Sequence, residues 1–232
     1  MRRLVMIFFA VLITIVIGLI IVNPDRIHAA TTGQTIVYQN ETPTAADKDE
    51  IQNLIRQMLN WGMSRTNSFR PMPMLLDNPD DQYYSGFDFV KHEENLERLR
   101  AAGFFANEFI DNFNRIILTL DTMYRNNDFG KWDVQFGIPH FGFSSGANWW
   151  CNCQDVPYDY PNPLDNVEVE IIEFENDNAK VVWRWGRLDA DSPWNASPYR
   201  FRVVREEDKW LISYLQEFDF DKVTRTWYVV IE

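Results

Sequence analysis

The sequence predicts an α+β domain in which N-terminal helices pack on a curved antiparallel sheet. Apolar residues recur at helical spacing through the chain as far as Tyr124, whereas after residue 166 they alternate with polar residues as strands require. Helices followed by a run of strands are typical of the α+β class and not of a doubly wound α/β sheet. A further apolar helix is predicted ahead of this domain, near the N-terminus.

The first helix of the domain is predicted to begin after Thr44. Thr44 and Asp47 have the spacing of a capping box, in which each side chain accepts a hydrogen bond from a backbone amide at the start of the helix. Gly62 is predicted to end the helix. Its apolar face consists of Ile51, Leu54, Ile55, Met58 and Leu59.

Two more helices are predicted before the sheet, after an irregular connection over residues 65–88 that is rich in proline. The second runs from about Phe89 to Ala102 and ends at Gly103. The third has the longest apolar stripe in the chain, so we expect it to form the centre of the core. This stripe consists of Phe105, Phe109, Phe113, Ile116, Ile117, Leu120 and Tyr124.

The sheet is predicted as a meander whose strands are joined by tight turns at residues 176–178 and 207–209. A last strand is predicted over residues 226–231. From the third helix and the sheet we expect a core of Phe109, Phe113, Ile117, Leu120, Trp183, Phe201 and Ile212. The inward positions of the strands are Val167, Val169 and Ile171, then Val181, Trp183 and Trp185, then Tyr199, Phe201 and Val203, and finally Trp210, Ile212 and Tyr214.

Residues 4–22 carry no charge and are long enough to span a bilayer as a helix. Arg2 and Arg3 precede them and favour an N-terminus in the cytoplasm. The sequence leaves two readings open for residues 1–30, a cleaved signal peptide or an uncleaved membrane anchor. Both place the rest of the chain in the bacterial cell envelope, on the outer face of the cytoplasmic membrane or in the periplasm. Residues 31–45 are then a linker, and residues 46–232 form the domain.

Composition narrows the class of partner. The chain has a net charge of −12, which disfavours nucleic acid because phosphate backbones are repelled. It contains 9 Trp, 9 Tyr and 17 Phe residues, which suit a large core and also a surface that stacks on sugars or other flat ligands. We find no glycine-rich phosphate loop and no standard metal-binding spacing, so the sequence predicts neither a cofactor nor a metal.

Residues 126–166 are predicted to form a long ordered loop that contributes a binding site. The loop combines aromatic residues with a few polar ones, as ligand pockets do. The predicted ligand-binding residues are Trp132, His140, Trp149, Trp150 and Asp155. At least one of Trp149 and Trp150 is expected to face a cavity. The alternative is that both indoles close the open end of the domain.

Cys151 and Cys153 are the only two cysteines, and they are expected in an oxidising compartment. A disulfide between them closes a small ring and would clip the loop. Two buried free thiols, an intermolecular bridge, and a metal or redox role remain open from the residues alone. A metal site would need His140 and an acid such as Asp155 to join the pair.

His140 and Asp155 are weak candidates for general acid or base catalysis, because histidine titrates near neutral pH and a buried aspartate can act as an acid. His140 lies next to Phe and Pro, an environment that is more typical of a structural histidine. His92 is predicted on a polar helix face and carries no expected role.

The last hairpin is similar to the pattern Y-x-F-x-V-x-x-E-x-x-x-W-x-I, matched here by Tyr199, Phe201, Val203, Glu206, Trp210 and Ile212. With three preceding helices, residues 46–220 resemble nuclear transport factor 2-like and ketosteroid isomerase-like proteins. The stretch from Trp150 to Asp155 looks closest to exported bacterial members of unassigned function. The resemblance implies a cone-shaped fold with a pocket at its open end, while the activity is left open because this superfamily includes both enzymes and binding modules.

The function expected from the sequence is therefore a non-catalytic module that binds a small molecule, a glycan end or an envelope protein. The alternative is a small isomerase, dehydratase or hydrolase that uses His140 or Asp155 as general acid or base. Both hypotheses, the binding module and the enzyme, assume an oxidising compartment and a membrane segment at residues 4–22.

Overall fold

The computed structural model describes residues 42–64, 66–128, 130–134, 148–153, 163–185 and 198–224. All described residues belong to one compact unit, Asn40–Glu232. Within this unit the fold is α+β, with helices packed on antiparallel sheet, as the sequence predicts.

Three helices precede the main sheet, and their order matches the prediction. A two-stranded antiparallel hairpin, too short to leave a periodic signal, interrupts the connection between the first two. The elements of this half are α1 (Ala45–Met63), β1 (Met74–Leu75), β2 (Gly86–Phe87), α2 (Phe89–Ala102) and α3 (Asn107–Arg125).

The second half is a four-stranded antiparallel meander, in which the strands lie side by side in chain order. A short 3-10 helix (Pro163–Asn166) leads into it, and a second one (Gln216–Phe218) follows it. The elements are β3 (Val167–Glu175), β4 (Asn178–Trp185), β5 (Tyr199–Glu206), β6 (Lys209–Leu215) and α4 (Phe220–Thr224). The predicted strand at residues 226–231 lies outside the described residues.

The third helix lies at the centre of the core, as its apolar stripe predicts. Phe109, Phe113 and Ile117 are completely buried, and they pack between the sheet and the other helices. The predicted core residues Leu120 and Ile212 are also completely buried. The remaining two, Trp183 and Phe201, are buried as well, so the whole predicted core set is confirmed. Burying a large apolar side chain contributes about 1.5–3 kcal/mol, so the buried face of α3 contributes strongly to tertiary stability.

Two strands contain a β-bulge that reverses which side chains point inward. In β6 the register shifts so that Ser213 has no partner on β5, and beyond it Leu215 is buried while Tyr214 is not. The predicted inward position of Tyr214 is therefore wrong. In β3 the extra residue is Ile172, which is 50 % exposed. A bulge adds one residue to one strand and so shifts the two-residue alternation by one position.

The N-terminus of α1 has the predicted capping box. The Thr44 hydroxyl accepts a hydrogen bond from the Asp47 amide, and the Asp47 carboxylate accepts one from the Thr44 amide at 2.9 Å. Asp47 also forms an ion pair with Arg205 and accepts a hydrogen bond from the Trp210 indole at 3.3 Å. Burial opposes ionisation of Asp47, but the hydrogen bonds from Thr44 and Trp210 and the charge of Arg205 outweigh it and lower its pKa.

We expect Asp47→Asn to destabilise the domain by about 2–3 kcal/mol at neutral pH, because it removes the charge that the partly buried Arg205 needs and weakens the cap. Asp49→Asn, an exposed acid one residue beyond the first turn, is the matched control and should change stability by about 0.5 kcal/mol or less. Urea unfolding at neutral and acidic pH measures both. Since the pKa of Asp47 is lowered by folding, its stabilising effect should fade as the pH falls through the acid range. A pH-independent difference between wild type and Asp47→Asn would contradict the assignment.

Candidate functional site

The structure describes part of the predicted site. His140 and Asp155 lie outside the described residues, so their proposed roles stay predictions. Trp132, Trp149 and Trp150 are described, together with both cysteines. The predicted long loop over residues 126–166 is described only in pieces.

Trp150 is inserted into the core beside α1. It is 1 % exposed, and its ring lies within 5.8 Å, centroid to centroid, of four other aromatic rings. Trp61 of α1 meets it edge-on at 5.3 Å, and Phe69 and Phe218 lie at 5.2 Å. The fourth ring is that of Phe105. This environment is that of a core side chain that fills the interior.

Gly62 explains how an indole of this size fits beside α1. A Cβ atom placed on Gly62 would lie 2.7 Å from Cγ of Trp150, closer than carbon atoms approach each other. The prediction that Gly62 ends the helix is wrong, since α1 continues to Met63. The glycine is needed for the close approach of the indole and not for a turn of the backbone.

A tight turn over residues 148–153 holds Trp150 in place. The Asn148 amide donates a hydrogen bond to the Cys153 carbonyl at 2.8 Å, and the Asn148 side chain accepts one from the Trp150 amide at 2.9 Å. The side chains of Cys151 and Cys153 lie at disulfide distance, with their Cα atoms 5.2 Å apart. Asn152, between them, has a positive φ of 49°, a conformation that asparagine tolerates well. The turn therefore fits the prediction of a local clip.

Trp132 is also a core residue. It is completely buried, and its ring packs edge-on against Tyr124 of α3 at 5.2 Å and against Phe87 at 5.8 Å. Its carbonyl accepts a hydrogen bond from the Tyr84 amide at 2.9 Å. Trp132 and Trp150 thus pack different regions of the interior, and contact of either one with a ligand stays a prediction.

Trp149 contacts a stacked pair of aromatic residues of the sheet through its backbone carbonyl. The Tyr199 hydroxyl donates a hydrogen bond to the Trp149 carbonyl at 2.9 Å, and the Tyr199 ring stacks on Trp183 at 5.8 Å. The indole nitrogens of both Trp149 and Trp183 are buried and have no hydrogen-bond partner. We call Trp149, Trp183 and Tyr199 the indole site. The sequence pattern predicted Trp149 as a ligand contact, but it placed Trp183 and Tyr199 only in the core.

Glu217, a buried acid that forms an ion pair with Lys222, contacts the indole site through its backbone amide. Glu217 is 3 % exposed, and Nζ of Lys222 lies 2.6 and 2.7 Å from its two carboxylate oxygens. The Glu217 amide donates a hydrogen bond to the Tyr199 hydroxyl at 3.3 Å. Burial raises the pKa of Tyr199 well above its usual value, so its hydroxyl is protonated and remains a donor. The geometry fixes the Tyr199 ring against which Trp183 stacks.

His92 is the buried titratable residue that the sequence reasoning misplaced. It is 1 % exposed between α2 and α3, not on a polar helix face, because α2 buries a partly polar stripe against α3. Its Nε2 donates to the side-chain oxygen of Asn114 at 2.9 Å, and its ring lies 5.4 Å from that of Phe113. Nδ1 is buried without a partner. Burial lowers the pKa of His92, although the Asn114 hydrogen bond and the charge of Glu93 partly oppose this.

This lowered pKa predicts that His92 makes the domain sensitive to mild acid. The unfolded chain binds a proton at His92 below a pH of about 6.5, whereas the folded protein resists it, so stability should fall as the pH drops below that value. His92→Gln, which cannot titrate, should show a flatter stability curve between about pH 6.5 and 5 than wild type. Parallel curves in urea unfolding would show that His92 does not titrate differently in the two states.

Within the described ranges, no three His, Cys, Asp or Glu side chains are grouped in a way that could hold a metal ion. Among the same residues, no helix is long and apolar enough to cross a bilayer. The predicted membrane segment, residues 4–22, lies outside them.

No protein-family model matches this chain, and neither a curated protein nor a solved structure matches it. The resemblance to nuclear transport factor 2-like proteins therefore stays a prediction from the residues.

Proposed function

We propose that this chain is a non-catalytic binding module of the bacterial cell envelope, with a cone-shaped, nuclear transport factor 2-like domain. Residues 4–22 would export or anchor it, which places the domain on the outer face of the cytoplasmic membrane or in the periplasm. Its ligand would bind at the indole site and would offer hydrogen-bond acceptors beside an apolar face. The end of a glycan has this combination, since sugar rings carry both oxygens and apolar C–H surfaces.

The observation that carries the proposal is the pair of indole N–H groups on Trp149 and Trp183. A buried donor without an acceptor costs about 1–3 kcal/mol, and native proteins rarely leave one unexplained. Trp149 and Trp183 each have such a donor, and an acceptor from a ligand that reached either indole would satisfy it. The ring of Tyr199 stacks on Trp183 and so helps to fix the position of that indole.

The filled interior favours binding over catalysis. The indole of Trp150 packs against an aromatic ring of α1 and is 1 % exposed, as a core side chain is. The buried acids Asp47 and Glu217 are held in ion pairs with Arg205 and Lys222, as structural acids are. Enzymes instead present a titratable group to an accessible cavity.

Isothermal titration of the full chain with chitotriose tests the proposal, because the N-acetyl groups of this sugar supply carbonyl acceptors. Trp149→Phe and Trp183→Phe keep an aromatic ring but remove the N–H, so each should weaken binding by about tenfold. Trp61→Phe is the matched control in α1, away from the indole site, and should leave the affinity unchanged. Undetectable binding to wild type, or equal affinity in all four proteins, would overturn the proposal.

A further inference from the structure

A groove of about 630 Å³ lies where α3 passes β6 and the start of α4. A smaller pocket of about 170 Å³ adjoins it on the side of β4 and shares Glu108, Arg202 and Ser213 with it. Every lining residue of both is described, and none belongs to the indole site. The larger groove has the volume of a small-molecule site. We call it the polar groove.

The bulge in β6 supplies the floor of the polar groove. Ser213 is the extra residue of that bulge and is 7 % exposed. Its side chain lines both the groove and the adjoining pocket. The Ser213 hydroxyl makes no hydrogen bond within the described part of the chain. A nearly buried hydroxyl without a partner therefore faces the space that a ligand would occupy.

The guanidinium groups of two arginines in the groove lie over aromatic rings, and neither forms an ion pair at hydrogen-bond distance with a described residue. The Arg115 guanidinium lies 4.0 Å from the centroid of Phe220, and it donates to the Asn112 side-chain oxygen at 3.1 Å. The Arg202 guanidinium lies 4.9 Å from the centroid of Tyr214. Stacking leaves the edge of each guanidinium available for hydrogen bonds to a carboxylate.

The acids of the groove are loosely paired as well. The Glu108 carboxylate lies 3.7 Å from the Arg202 guanidinium, which is too long for a hydrogen bond. Asp111 forms no ion pair with any described residue. Asp219 is satisfied locally, because its oxygens accept hydrogen bonds from the Tyr214 hydroxyl at 3.2 Å and from the Lys222 amide at 2.8 Å. Glu108 and Asp111 thus offer two carboxylates near two under-used guanidinium groups.

This mixture of charges points to one ligand class. A simple anion would meet Glu108 and Asp111 as well as a chain of net charge −12, and a simple cation would meet both arginines. A ligand that carries both charges satisfies both sets of side chains. We propose that the polar groove binds a small zwitterion with a free carboxylate and a free ammonium group, an amino acid or a short peptide. The carboxylate would bind Arg115 and Ser213, and the ammonium group would bind Asp111 and Glu108.

Saturation-transfer NMR on the full chain with the dipeptide glycyl-phenylalanine tests this. Both termini should be required, so the N-acetylated dipeptide and the C-terminal amide should each bind at least about tenfold more weakly than the free dipeptide. Arg115→Gln and Asp111→Asn should lower the affinity for the free dipeptide by a similar factor. Arg100→Gln, an exposed arginine of α2 outside the groove, should leave it unchanged.

Three results would overturn the inference. The first is the absence of saturation transfer to the dipeptide at about 10 mM, well above the Kd of a weak specific site. The second is equal binding of the free and the blocked dipeptides. The third is unchanged affinity in Arg115→Gln and Asp111→Asn, provided that circular dichroism shows both variants to be folded. Both substitutions lie on the surface of α3, so we expect them to fold.

Discussion

Trp150→Ala is expected to destabilise the domain by about 3–5 kcal/mol, the range found when a fully buried aromatic ring is removed from a core. The indole packs against four other rings, from α1, the chain after α1, the connection that precedes α3 and the segment after β6. Removing the indole leaves a cavity, and the residues around this cavity are held by their packing against the rest of the core. The surroundings therefore cannot collapse to fill it.

Urea unfolding followed by far-ultraviolet circular dichroism measures this effect without depending on tryptophan fluorescence. Tyr83→Ala is a suitable control, because Tyr83 is 37 % exposed and should cost about 1 kcal/mol or less. A Trp150→Ala variant that unfolds within about 1 kcal/mol of wild type would show that the indole is not a core side chain.

Phe113→Ala is expected to cost about 3–5 kcal/mol as well, since Phe113 is completely buried at the middle of α3. Its ring lies 5.4 Å from those of Phe69 and His92, and 6.0 Å from that of Phe218. The substitution therefore loosens the contacts of α3 with α2, with the chain after α1 and with the segment after β6 at once.

Leu118→Ala provides the matched control on the same helix. Leu118 is 48 % exposed, and alanine has the higher helix propensity, so the change should be within about 0.5 kcal/mol of wild type. Comparable losses in Phe113→Ala and Leu118→Ala would mean that the buried face of α3 has been misassigned.

Local sequence signals predicted the helices and strands well because each signal arises within a few residues. The capping box of Thr44 and Asp47 and the stripe of α3 are of this kind. The glycine that follows α2 is another, since Gly103 adopts the left-handed conformation with a φ of 70°. All three depend on neighbours in the same turn or helix, so they can be read without knowing the fold.

The β-bulges could not be predicted in the same way. The alternation in β6 continues through Trp210, Ile212 and Tyr214 in the sequence, and only pairing with β5 shows that Ser213 is an extra residue. The partner strand and its register decide where a bulge occurs. The groove that Ser213 lines was missed for this reason.

Side chains whose roles depend on distant parts of the chain were also misjudged. Gly62 resembles a helix terminator, but its neighbour is the indole of Trp150. His92 is polar in sequence and buried in the structure, because α3 covers it and Asn114 offers it a hydrogen bond. The sequence predicts Trp183 only as a core residue, and the folded structure is needed to see that its indole N–H is buried without a hydrogen-bond partner.

The central claim is that the indole of Trp150 fills the interior against Gly62, and a double-mutant cycle tests it most directly. In wild type, Gly62→Ala should destabilise the domain, although alanine is normally favoured over glycine inside a helix by about 1 kcal/mol. In the Trp150→Ala background the clash is gone, so the same Gly62→Ala change should become neutral or stabilising. An equal effect of Gly62→Ala in both backgrounds, measured by urea unfolding, would contradict the claim.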